Sequence, residues 1–225
     1  MPLDPNWIST GNSGGGSSTI TSTAPRSGTG SLELHGDRTR FVYSDADQNL
    51  GKLSDVSTFV FDWMIGTASS HHTPAFRLHI VDDGQSSELI WEGVYNGGAS
   101  GVAPTTGVWN TTDDGDTFWR NVTGSGPTLN GGAQVNLTVD AWANPSYYTS
   151  NAYVAAISVG AGSSAGGLVA FADNVTLGFG GTPTTFNFET AAAPVPLPAA
   201  VWGGMALMGL IGAKRLRRKH DGATA

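Results

Sequence analysis

The chain contains no cysteine. That excludes disulfides, thiolate nucleophiles and cysteine-ligated metals. Charge is also scarce, at 13% of 225 residues. Basic side chains are the scarcer kind: residues 1–213 hold 6 Lys and Arg against 17 Asp and Glu, a balance of −11. A phosphate-binding surface needs clustered Lys and Arg, so no nucleic-acid partner is expected. The opening residues MPLDPNWIST lack a basic stretch and an apolar core, so no secretion signal is visible there. No Gly-x-Ser-x-Gly elbow occurs, and no internal repeat is visible.

Glycine is abundant instead, at 32 residues. Gly, Ser, Thr and Asn fill the connections, and Val, Thr, Phe, Tyr and Trp fill short runs between them. That distribution is all-β. In Ser31–His35, Leu32 and Leu34 alternate with Glu33 and His35. Val56–Ile65, VSTFVFDWMI, is apolar on both faces, as in a strand covered on both sides. In Phe76–Val81, Phe76, Leu78 and Ile80 oppose Arg77 and His79. A turn at Asp82-Asp83-Gly84 leads to a strand over Glu88–Val94. Gln134–Val139 reads as a strand with Val135, Leu137 and Val139 on one face. Thr138 can also cap one helical turn through Trp142. Ala152–Val159 and Leu168–Phe179 read as long strands. About ten strands of this kind predict a two-layer antiparallel β-sandwich over residues 1–189.

Several clusters carry possible chemistry. Asp45, Asp47 and Asn49 place oxygen donors at alternate positions, as a Ca²⁺ loop does. Leu50 stands where the EF-hand turn uses Gly, and Val56 where it uses Glu, so a solvated hairpin is the plainer reading. Asp113, Asp114 and Asp116 crowd carboxylates that repel unless a cation or solvent screens them. An exposed turn is the plainer reading there too. Ca²⁺ at these two loops is the alternative to no cofactor at all. His71-His72, with His35 and His79, has poor spacing for zinc, because neighbouring side chains point opposite ways. Trp91, Trp109 and Trp119 offer faces for sugar rings, or fill the core. Glu88 and Glu92 share a strand face, the residue type that glycoside hydrolysis requires. With so little else in support, no catalytic residue is assigned and an enzyme is not expected.

The C-terminus differs in kind. Ala191 to Pro198 reads AAAPVPLP, whose prolines forbid helix and favour an accessible extended strip over the linker 190–196. Residues 197–213 carry no charge and as a helix reach roughly 26 Å, the short end of the range that spans a bilayer. Lys214, Arg215, Arg217, Arg218 and Lys219 then form a stop-transfer cluster in a basic cytoplasmic tail, 214–225. A transmembrane helix is therefore expected after the sandwich.

Val195, Pro196, Leu197, Pro198 and Ala199, followed by the apolar run and the basic cluster, resemble the tripartite sorting signal of PEP-CTERM proteins in its VPLPA form. The resemblance covers about 25 residues. It implies export by a Gram-negative bacterium, transient residence in the inner membrane and processing by an exosortase. Release or attachment at the cell surface or extracellular matrix follows, with exopolysaccharide as a partner. His220 to Ala225 extend past the point where the family pattern ends. The absent N-terminal signal then implies a start codon upstream of Met1, or a fragment. A second resemblance spans residues 6–189. Gly28-Thr29-Gly30-Ser31-Leu32-Glu33-Leu34, Phe61-Asp62-Trp63 and Ala172-Asp173-Asn174-Val175 are similar to elements of concanavalin-A-like, lectin-like jelly rolls. Asp173 reads as a structural polar residue at a strand bend. Together these imply a non-catalytic structural or adhesive surface protein. The alternatives are a carbohydrate-binding module and a glycan-acting enzyme.

Overall fold

The computed structural model describes residues 6–190. In chain order its strands are β1 (Trp7–Ser9), β2 (Ser17–Thr21), β3 (Ser31–His35), β4 (Arg40–Tyr43), β5 (Gly51–Lys52) and β6 (Val56–Thr67). Next come β7 (Ala75–Asp82), β8 (Gln85–Glu92), β9 (Trp109–Thr111), β10 (Phe118–Val122), β11 (Gly126–Pro127) and β12 (Leu129–Asn130). The last are β13 (Ala133–Gln134), β14 (Asn136–Leu137), β15 (Tyr153–Gly160), β16 (Val169–Phe179) and β17 (Thr182–Phe186). One helical turn, α1 (Val139–Trp142), precedes β15.

The larger sheet runs β1-β4-β15-β7-β8-β10-β11, with β5 beside β15 and β14 beside β10. The smaller runs β2-β3-β16-β6-β9, with β17 beside β16. The strand pairs are antiparallel. The two sheets meet through aromatic side chains. Phe59 and Phe61 of β6 lie 3.8 and 4.7 Å, centroid to centroid, from Phe76 of β7. Phe61 also meets Trp91 of β8 edge-on at 5.2 Å. At the other end Trp7 packs on Phe41 and Phe188. Each such ring contributes about 1.5–3 kcal/mol by leaving water. All-β sandwich architecture is thus the observed fold.

Local sequence explains the parts that build the site. The β7–β8 hairpin closes through Asp83 and Gly84, both at positive φ (47° and 79°), with Asp82 paired to Gln85. That two-residue turn matches the twist of its flanking strands. It registers Arg77 opposite Ile90 and His79 opposite Glu88. Phe76, Leu78 and Ile80 point inward, so Arg77 and His79 share the outer face, as their alternation predicts. The predicted helical turn is present: Thr138 Oγ1 accepts from the Ala141 N–H at 3.3 Å. The predicted strand over Gln134–Val139 breaks into β13, β14 and that turn, because Val139 is recruited to the helix.

Among the described residues no helix is long and apolar enough to cross a membrane. The expected transmembrane segment 197–213, the sorting motif Val195–Ala199 and the basic cluster Lys214–Lys219 lie outside the described residues.

Candidate functional site

The outer face of the larger sheet carries a polar groove. Its floor is β15, whose inward residues are Ile157 and Val159 and whose outward residues include Ser158 and Gly160. The Thr39 backbone covers Gly160, and longer side chains on β4, β7, β8 and β10 line the groove above. One cavity of about 320 Å³ is lined by Arg38, Arg40, Arg77, Glu88, Glu92 and Trp119, among others. A second, of about 400 Å³, continues past His79 and Glu88 toward Ser86 and Thr123. A third, of about 160 Å³, shares Glu92, Gly162 and Ser163 with the first and reaches His71 and His72. The groove therefore follows β8 for about 20 Å from Glu92 to Ser86, at ~3.3 Å per residue.

Glu88 sits at its centre. Arg40 Nη1 donates to Glu88 Oε1 at 2.5 Å, and His79 Nδ1 lies 3.3 Å from the same oxygen. Burial pushes the Glu88 carboxyl up, but the hydrogen bond and charge of Arg40 outweigh it, so the group is held below its ordinary range. His79 is pushed the other way. Burial, with Arg40 and Arg77 nearby, drops the imidazole to about 4 against the pull of Glu88, so it is neutral near pH 7. A neutral ring that donates from Nδ1 to Glu88 leaves Nε2 to accept from the Ser158 hydroxyl at 2.8 Å. Arg77 is 3% exposed, and burial lowers it to about 10.

Ser158, His79 and Glu88 thus stand in the hydrogen-bonding order of a hydrolase triad. The arrangement lacks two of the other requirements. Ser158 is 0% exposed, so its oxygen faces no substrate. Its strand pairs on both sides, with Val42 and with Arg77, so its backbone N–H groups belong to ladders and leave no oxyanion hole. Glu88 and Glu92 fare no better as a glycosidase pair. Four strand residues separate their backbones by about 13 Å, and Glu88 is already engaged by Arg40. Glu92 Oε2 accepts from Trp119 Nε1 at 3.1 Å.

The three sequence-predicted tryptophans are not brought together. Trp119 lines the groove on β10. Trp91 belongs to the core, which corrects its assignment as a ligand-stacking residue. It is on β8 but points inward, is 2% exposed and donates to Asp116 Oδ2 at 2.8 Å. Period-two alternation places it opposite in face to Glu92, a signal available in ELIWE. Trp109 lies on β9 of the other sheet, with the Arg26 guanidinium 6.0 Å over its ring.

The acidic loop has partners of its own. Asp113 Oδ1 accepts from Gly115 N, Asp114 Oδ1 from Phe59 N and Asp116 Oδ2 from both Trp91 and Asp113 N. Asp45 Oδ1 accepts from Asn49 N at 2.9 Å. Asp47 is exposed. Among the described residues, no group of three or more His, Asp or Glu side chains converges to hold a metal. Sequence reasoning missed Arg38, Arg40 and Arg77, which no local motif joins. Only the pairing of β4 with β15 and β15 with β7 assembles them.

No family model matches the chain, and no curated protein matches it. Among solved structures it is similar to a native family 12 xyloglucanase from Bacillus licheniformis, at 12% identity and a TM-score of 0.37. The alignment covers 81% of this chain and 92% of that one. A likeness of that degree assigns neither family nor activity.

Proposed function

We propose that the chain is an exported, non-catalytic surface protein whose sandwich holds a polysaccharide in the groove along β8. The observation that carries the binding reading is a long polar groove with an aromatic side chain, Trp119, among charged hydrogen-bonding groups. Sugar rings present apolar faces and a rim of hydroxyls, and such a surface satisfies both. The buried Ser158, and the engagement of Glu88 by Arg40 and of Glu92 by Trp119, support binding without turnover. This reading joins the adhesive role expected from the sequence to the carbohydrate-binding alternative. Export rests on the resemblance of Val195–Ala199 and the following residues to an exosortase signal, with the exosortase and the inner membrane as transient partners.

Two measurements test these halves separately. In affinity electrophoresis of the full chain against soluble polysaccharides, Trp119→Ala is expected to weaken binding about 10–30-fold, the worth of one aromatic contact of roughly 1.4–2 kcal/mol. Trp109→Ala, on the other sheet, should change it less than about twofold. Equal losses in both variants, or none in either, remove the groove from the account. For export, mass spectrometry of the native host's envelope should find the chain without its C-terminal basic cluster. Intact chain confined to the cytosol removes the sorting half.

A further inference from the structure

The charge of the groove runs against that of the molecule. Residues 1–213 carry a balance of −11, yet three of their six basic residues, Arg38, Arg40 and Arg77, line one cavity with two acidic ones, Glu88 and Glu92. Counting those five side chains, 3 − 2 leaves a local balance of +1. The acidic pair does not neutralise all three guanidinium groups. Glu88 is engaged by Arg40 and His79, and Glu92 by Trp119. Among the described residues neither Arg38 nor Arg77 closes an ion pair.

Arg77 is the second and independent observation. It is 3% exposed, and its Nε–H has no hydrogen-bond partner. Among the described residues its one hydrogen bond is a long one, Nη1 to the Ala75 carbonyl at 3.5 Å. A buried guanidinium with an open donor is costly unless an anion completes it. Its planar fork fits a carboxylate with two parallel hydrogen bonds. Exposed Arg38 borders the same cavity, and Trp119 stands in its lining.

We infer that the groove takes an acidic polysaccharide, with a uronate carboxylate of the chain seated on Arg77 and Arg38 and a neighbouring ring against Trp119. This rests on the glycan-binding reading above and specifies its substrate class. A neutral glycan leaves the charge of Arg77 unmatched; a carboxylate in the cavity that Arg77 lines supplies the opposite charge. Arg40, already bound to Glu88, sets the position of that carboxylate by keeping Glu88 turned aside.

The test uses the full chain in mild detergent and two acidic polymers, polygalacturonate and alginate, each beside its carboxyl-reduced neutral form. The basic cluster Lys214, Arg215, Arg217, Arg218 and Lys219 also attracts anions, so all variants are made in a background with those five residues changed to Gln. At least one acidic polymer should bind tenfold or more tighter than its reduced form, and the difference should shrink as salt rises. Arg38→Ala, at an exposed position, should remove at least about fivefold of that preference. Arg77→Met should remove more. Because it alters a buried site, it is read only where its thermal unfolding matches the background; Arg38→Ala decides the matter otherwise. Equal binding of acidic and reduced forms overturns the anionic inference and leaves the glycan reading standing. A preference that survives Arg38→Ala unchanged overturns it as well. No binding of any of the four polymers overturns both.

Discussion

Replacing Asp173 with alanine is expected to lower the thermal unfolding midpoint by roughly 10 °C, a loss of about 3–5 kcal/mol at about 2–4 °C per kcal/mol. Asp173 is 0% exposed and accepts three backbone hydrogen bonds. Oδ1 takes the N–H groups of Asn174 and Phe188, at 2.8 and 3.0 Å, and Oδ2 takes that of Ser27 at 3.1 Å. One carboxylate therefore ties the middle of β16 to the segment before β3 and to the segment after β17. Burial pushes its carboxyl up, against those donors. Alanine leaves all three donors unpaired, and at least that of Phe188 is buried. Asp173→Asn separates this account from simple loss of volume. Its amide oxygen can keep the two bonds of Oδ1, while its NH₂ sets a donor against Ser27 N–H. The expected cost is about 1–2 kcal/mol. Urea unfolding of both variants by circular dichroism is the measurement. A cost below about 1 kcal/mol for alanine, or no difference between the two variants, sinks the staple.

The same residue shows how far the sequence could be read. Alternation finds β16 as an apolar strand but not its interruption. Ala170 and Ala172 are inward on one side of Asp173, and Val175 and Leu177 on the other, so the inward parity changes from even to odd. The register with β6 slips there, between Asp173 and Thr176, and Asn174 takes φ +48°. An extra residue of this kind flips every side chain beyond it. The jelly-roll resemblance around Ala172-Asp173-Asn174-Val175 implied a structural residue at a bend. Its partners were not legible, because they lie 146 and 15 residues away in the chain.

Glu33 marks a second limit of alternation. Alternation turns it outward beside His35, and it does face away from Leu32 and Leu34. It is nevertheless 8% exposed, because the hydroxyls of Thr21 and Thr23 and the ring of His35 close over its carboxylate. Period two says which face a residue takes and nothing about what covers that face. The groove is the extreme case. Its strands β7, β8 and β15 could be located, and Glu88 and Glu92 were visible as a pair on one face. The arginines that give it character come from β4, the turn before it and β7, which only the non-sequential order β4-β15-β7 brings side by side. Local pattern fixes strands and faces; long-range pairing fixes sites.

Acid should weaken the fold earlier than carboxylate titration alone would, and His79 is the reason. Its folded pKa is about 4, against an ordinary value near 6.5. Between these values the unfolded chain binds a proton at this position and the folded chain does not. Its contribution to stability is therefore fully present above about pH 6.5 and is lost as pH falls toward 4. The size is on the order of 2–3 kcal/mol. The groups facing the ring are Glu88, which favours the proton, and Arg40 and Arg77, which oppose it. Glu88 acts in the same direction further down: it is held below its ordinary range, so its own contribution is lost as pH falls through its folded value. Urea unfolding at intervals from pH 7 to pH 4.5 should show stability falling across the whole window. His79→Gln cannot take up the proton and should flatten the upper part of that slope. The ring resonance of His79 should stay unprotonated down to about pH 5, while an exposed histidine titrates near 6.5. A ring that titrates at the ordinary value, or a slope that His79→Gln leaves intact, shows that the groove's interior is wetter than its packing implies, and with it the buried state of Arg77 would have to be reconsidered.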